Sequence, residues 1–124
     1  MPLLTLLASI IFATNDIQIN PSADLMAKWQ PIINQIEQCE SNGNENAIHE
    51  HDGDGTSFGI LQFKYKTFRY YSEKFGVFNG KGFDEADWIN AWHDRWSQEL
   101  VASYMMENLT NWKSNWVVCT KNLN

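Results

Sequence analysis

Basic residues are scarce in this 124-residue chain, which has nine Lys and Arg against fifteen Asp and Glu and a formal net charge of −6. Phosphate backbones and anionic lipid surfaces are bound through basic patches. The charge balance therefore argues against a nucleic-acid partner and against electrostatic capture by a membrane. A neutral ligand, or one whose charged groups meet only a few side chains, fits this charge balance better. The length suits one domain and is short for two.

The apolar stretch at the start of the chain is short for a membrane span. Residues 3–13 form an eleven-residue run without charge, which matches the core of a signal peptide, although no Lys or Arg precedes it. We interpret residues 1–22 as a signal peptide or N-terminal leader, cleaved near Ala13 or Ala23, and residues 23–124 as the mature domain. The alternative is a buried N-terminal helix or strand. The leader predicts a protein that is secreted, periplasmic or associated with the cell wall, without stable membrane insertion afterwards.

Only two cysteines are present, Cys39 and Cys119, separated by eighty residues. In an exported chain an even number of cysteines indicates a disulfide. Closing so long a loop stabilises a fold by roughly 4 kcal/mol in the chain-entropy model. In a cytosolic protein the same residues would be two free buried thiols, and that alternative stays open.

Proline is absent after Pro31, and the patterning there is mainly helical. Ser22 is placed to cap a short helix that ends near Trp29, and Pro31 to open the next helix, through Ser41. A further helix begins at Lys64 or Thr67 and ends before Gly76. A long helical region then starts at Asp84, whose spacing to Asp87 resembles a capping box. Its tryptophans recur every four residues, at Trp88, Trp92 and Trp96, and a break near His93 or Asp94 is allowed.

The helix over 31–41 carries a glutamate on its apolar stripe. At about 100° per residue, Glu40 falls between Ile33 and Ile36, whereas Glu37 lies at the edge of the stripe. Burial and the negative end of the helix dipole both favour a protonated carboxyl at this position. A protonated carboxyl is what a general acid needs. A solvated glutamate at a helix end is the alternative.

The segment between this helix and the next is rich in turn-forming residues. Its "HEHDGDG" sequence indicates tight turns or a small hairpin. Asp52 or Asp54 is a candidate second carboxylate of a hydrolase, with a solvated turn as the alternative. The spacing fails the EF-hand template, and His49 and His51 without a third ligand are a poor zinc site. We therefore predict no metal and no cofactor.

Together, "IEQCESNGNENAI" and "DGDGTSFGILQFKYKTFRYY" resemble the catalytic segment of soluble lytic transglycosylases in the lysozyme-like superfamily. Exported domains akin to resuscitation-promoting factors are the most similar variant, and "WVVC" is similar to their second half-cystine. The resemblance spans Ile32 to Cys119. It implies a predominantly α, lysozyme-like α+β fold: a single helical domain with a small β or turn excursion beside the catalytic helix.

The resemblance also implies a function, namely cleavage of the β-1,4 bond between N-acetylmuramic acid and N-acetylglucosamine in peptidoglycan strands by a monomer with one catalytic glutamate. Glu40 would be the acid. Lysozyme-type hydrolysis and a non-catalytic glycan-binding module are the alternatives. A late "Ala-Tyr-Asn-x-Gly" segment is not apparent, so no tyrosine partner is assigned. The implied substrate-binding residues are Ser41, Thr56, Ser57, Gly59 and Gln62.

Overall fold

The computed structural model describes residues 21–51, 53, 55–79 and 81–123. Within these ranges the chain is mainly helical and has one small antiparallel sheet, in agreement with the predicted α+β composition. The predicted leader lies outside the described residues except for its last two, which belong to the first helix, and Asp52 and Asp54 also lie outside. In chain order the elements are α1 (Pro21–Ser41), β1 (Ile48–His51), β2 (Gly55–Phe58), β3 (Phe63–Lys64), α2 (Tyr65–Lys74), α3 (Glu85–His93), α4 (Arg95–Asn108) and a 3₁₀ helix (Trp112–Trp116).

Helix α1 runs without interruption through Pro31, where the sequence predicted the start of a second helix. Proline inside a helix removes one backbone hydrogen bond and is normally unfavourable. Contacts with α4 on both sides of the proline account for the difference. Before it, Lys28 forms an ion pair with Glu107 at 2.6 Å. After it, Ile33 and Ile36 are completely buried in the core. Tertiary packing therefore outweighs the local preference.

The sheet is a hairpin extended by one short strand, in the order β1-β2-β3. The turn-rich segment thus forms the predicted hairpin. Register places His49 opposite Ser57, and Ser57 opposite Lys64. Directly paired residues project from the same face of an antiparallel sheet. A row of three polar side chains therefore crosses one face, and His51, two residues along β1, lies on that face as well.

The long helical region after Asp84 is two helices. Asp84 and Asp87 form the predicted capping box at the start of α3. Asp94 has an extended backbone, with ψ of 126°, and its carboxylate accepts hydrogen bonds from the backbone N–H and the hydroxyl of Ser97 at the start of α4. This break changes the helical phase, so that Trp96 is 54% exposed although Trp88, two turns earlier, is buried.

A disulfide joins Cys39 to Cys119, with the two Cα atoms 5.7 Å apart. That separation lies in the usual range for a disulfide, and it confirms the predicted bridge. The bond attaches the C-terminal end of α1 to the segment that follows the 3₁₀ helix. Among the described residues, no helix is both long and apolar enough to cross a membrane.

Candidate active site

Glu40 lies in the last turn of α1 and lines a cavity of about 530 Å³. The polar row on the sheet lines the same cavity with His49, Ser57 and Lys64, and Gln62 and Trp116 also contribute to it. The predicted site residues Glu40, Ser57 and Gln62 are therefore brought together. Sequence reasoning did not include His49 or Lys64 in this set, because the face on which they lie follows from the hairpin register.

The Glu40 carboxyl is half-buried, and its protonation reflects this position. Burial raises its pKa above the ordinary value of 4.5, and the positive charge of nearby His49 lowers it to a smaller extent. The net shift favours the protonated acid, as the apolar stripe predicted. A carboxylic acid at the wall of a polar cavity can donate its proton to a bound ligand.

Gln62 connects the cavity to the backbone of the hairpin. Its amide nitrogen donates to the carbonyl oxygens of Ala47 and Gly59, at 3.0 and 2.8 Å. Its amide oxygen lies 2.6 Å from Nδ1 of His49. The side chain thus ties down the loop and lines the cavity at once.

The run from Gly59 to Phe63 is held in place by the buried amide of Gln98. The Gln98 amide oxygen accepts a hydrogen bond from the N–H of Leu61 at 3.0 Å, and the amide nitrogen donates to the carbonyl oxygen of Phe58 at 2.8 Å. Gly59 is buried, with φ of +90°, and a Cβ there would lie 2.3 Å from the Gln98 amide nitrogen. The glycine is therefore required for packing inside the fold. The sequence interpretation placed it against the sugar chain instead, and Gly59 is not among the residues that line the cavity.

Ser41 and Thr56 lie apart from the Glu40 cavity. The Ser41 hydroxyl is buried and donates to the carbonyl oxygens of Glu37, at 3.0 Å, and Ile60, at 2.8 Å. It therefore attaches the end of α1 to the chain at Ile60. Thr56 lines a second cavity, of about 620 Å³. The two cavities share Lys64 and Thr67 in their walls, so they adjoin.

Glu37 is the titratable residue that sequence reasoning placed wrongly. Helical periodicity put it at the edge of the apolar stripe, yet it is only 4% exposed and is more buried than Glu40. One of its carboxyl oxygens has no hydrogen-bond partner. The other lies 3.5 Å from Arg95 of α4, and the carboxyl of Glu99 adjoins it. Burial, then the hydrogen bond and charge of Glu99, raise the Glu37 pKa from 4.5 to about 8, against the opposing effect of Arg95.

The Glu37 shift predicts that stability depends on pH. The Glu37 pKa is higher in the folded chain than in the unfolded chain. The contribution of its protonated carboxyl to the free energy of unfolding is therefore fully present below pH 4.5 and is lost as pH rises toward about 8. One pKa unit corresponds to about 1.4 kcal/mol, so we expect a decline on the order of 4 kcal/mol between pH 5 and pH 9. Glu37→Gln should flatten this decline, because the amide keeps the shape and cannot ionise. Urea unfolding of both proteins at several pH values measures it, and equal declines would contradict the assignment.

Two histidines of the cavity have side-chain partners rather than a metal-ligand arrangement. His49 pairs with Gln62, and Nε2 of His51 lies 2.9 Å from the hydroxyl of Ser57. Among the described residues, no group of three or more His, Cys, Asp or Glu side chains is arranged to hold a metal ion.

Comparison with known proteins identifies no relative. No protein-family model, curated protein or solved structure matches the chain.

Proposed function

We propose that this protein is an exported lytic transglycosylase that cleaves the bond between N-acetylmuramic acid and N-acetylglucosamine in peptidoglycan. The observation that carries the proposal is the position of Glu40: a half-buried carboxyl with a raised pKa, in the wall of a cavity lined by hydrogen-bonding side chains. The resemblance of its surrounding sequence to transglycosylase catalytic segments supports the substrate class.

In the proposed reaction, Glu40 donates its proton to the glycosidic oxygen as the bond to C1 breaks. The 6-hydroxyl of the muramoyl residue then attacks C1 from within the same sugar and gives a 1,6-anhydro product. In the single-glutamate scheme, the ionised Glu40 accepts the proton of that hydroxyl. The carboxyl acts first as an acid and then as a base.

The adjoining cavities support a glycan strand as the ligand. Because the two cavities adjoin, together they extend further than either one alone. An aromatic ring lies in the wall of each, Trp116 in the first and Trp92 in the second. Of these two rings, Trp92 is partly exposed and can offer an apolar face to a sugar, whereas Trp116 is 3% exposed and belongs to the core.

Release of soluble fragments from purified peptidoglycan tests the proposal. Because Glu40 must be protonated to act, kcat/KM should fall on the alkaline side, with a limb above the ordinary glutamate value of 4.5. Tight binding to peptidoglycan without release of fragments at any pH would contradict the proposal and would indicate a glycan-binding module.

A further inference from the structure

The hydrogen bond between His49 and Gln62 has a direction that the backbone determines. The Gln62 amide nitrogen is engaged by the carbonyl oxygens of Ala47 and Gly59. The amide oxygen therefore faces Nδ1 of His49, at 2.6 Å, and an amide oxygen can only accept. Nδ1 must carry a hydrogen, so that in the neutral imidazole the lone pair is on Nε2.

The backbone of Gln62 shows that this arrangement is imposed by the fold. Its φ is +54°, in the left-handed region that residues other than glycine rarely adopt. Strained conformations of this kind persist where surrounding contacts hold them, and they concentrate at functional sites. Here the two carbonyl oxygens hold the amide, and the amide holds the imidazole. The orientation of His49 is thus prepared before any ligand binds.

Nε2 of His49 is available for chemistry. Among the described residues, no group forms a hydrogen bond with it, and His49 lines the same cavity as Glu40. The two side chains come from different elements, β1 and α1, and the charge of His49 is felt at the Glu40 carboxyl. An oriented base therefore shares a cavity with an acid.

We propose that His49 is a second catalytic residue, whose Nε2 accepts the proton of the attacking hydroxyl, and that Gln62 is its positioning residue. The inference rests on the proposed function of Glu40 and departs from the single-glutamate scheme in the identity of the base. As the bond from C1 to the leaving oxygen breaks, that oxygen takes the proton of Glu40. The hydroxyl oxygen forms a new bond to C1, and its proton passes to Nε2. The step leaves a glutamate anion and an imidazolium cation, and proton exchange with water restores both groups.

The charges around His49 are compatible with this step. Glu40 of α1 becomes negative as His49 becomes positive, so each product stabilises the other. Lys64 of β3 and His51, which is on the same strand as His49, also line the cavity.

His49→Gln tests the base directly. The variant keeps an amide that can bond to Gln62 but has no basic nitrogen, so we expect kcat on peptidoglycan to fall by about 100-fold or more with KM nearly unchanged. Glu50→Gln is the matched control, because Glu50 is exposed on the same strand and alternates to the opposite face. An unchanged kcat for His49→Gln, together with loss of activity in Glu40→Gln, would overturn this inference and leave the proposed function intact.

Two further measurements separate a catalytic from a structural role. The wild-type profile of kcat/KM against pH should have an acidic limb, where the base gains a proton, and His49→Gln should lose that limb and keep the alkaline one. Nitrogen NMR of the resting protein should show the tautomer with the proton on Nδ1, and the other tautomer would overturn the assignment without reference to activity. Absence of any cleavage by the wild-type protein would instead remove the proposed function, and the catalytic role of His49 with it.

Discussion

Glu40→Gln is expected to lower kcat on purified peptidoglycan by roughly 100- to 10,000-fold, the usual contribution of a general acid. The amide has nearly the shape of the protonated carboxyl and cannot release a proton. Burial already favours the uncharged form of Glu40, so the neutral amide should leave the fold intact. The affinity for glycan should also persist, because the loss falls on the chemical step.

Glu45→Gln is the matched control for this experiment. Glu45 follows the same helix, but its side chain is 56% exposed, lies 3.9 Å from Arg95 and is not among the residues that line the Glu40 cavity. We expect that variant to keep wild-type activity. If Glu40→Gln kept most of the activity, Glu40 would be structural, and Glu37 would be the next carboxyl to examine on α1.

Replacing both cysteines, as Cys39→Ser with Cys119→Ser, is expected to cost roughly 4 kcal/mol of stability, because the bridge closes a loop with a sequence separation of 80 residues. For a domain of this size that corresponds to a fall in Tm of at least about 15 °C. Activity should fall as well, even below the new Tm. Cys39 directly precedes Glu40 in the last turn of α1, so the bridge restrains the end of the helix that positions the acid.

Thermal unfolding with and without a reducing agent is the companion measurement. The reducing agent should lower Tm in the wild-type protein and have no effect on the double variant. Thiol titration of the unreduced, denatured wild-type protein should detect no free thiol. Two reactive thiols in that assay would contradict the bridge.

The local features of the fold were predictable from the sequence because they depend on neighbours in the chain. The capping box at Asp84 follows from residues three positions apart, and the hairpin follows from its turn-forming sequence. The features that were predicted wrongly depend on distant residues. Helix α1 passes through Pro31 because α4 packs along it, and no periodicity in 31–41 contains that information.

The same distinction applies to the site. Glu40 could be found because it lies on an apolar stripe within one helix. The environment of Glu37 depends on Arg95 and Glu99, which α4 brings across from about sixty residues away in the chain. His49 was considered only as a metal ligand, although alternation along a hairpin strand places it on one face with His51. Its partner Gln62 could not be identified until the hairpin register and the left-handed turn were known.

The central claim, that Glu40 supports anhydro-forming cleavage of peptidoglycan, is tested most directly by mass spectrometry of the products. Purified strands digested in water enriched in the heavy oxygen isotope should give fragments with 1,6-anhydromuramoyl ends, lighter by one water than hydrolysis products and free of the isotope. Fragments that carry an added water and the isotope, with no anhydro ends, would contradict the transglycosylase mechanism and identify a lysozyme-type hydrolase.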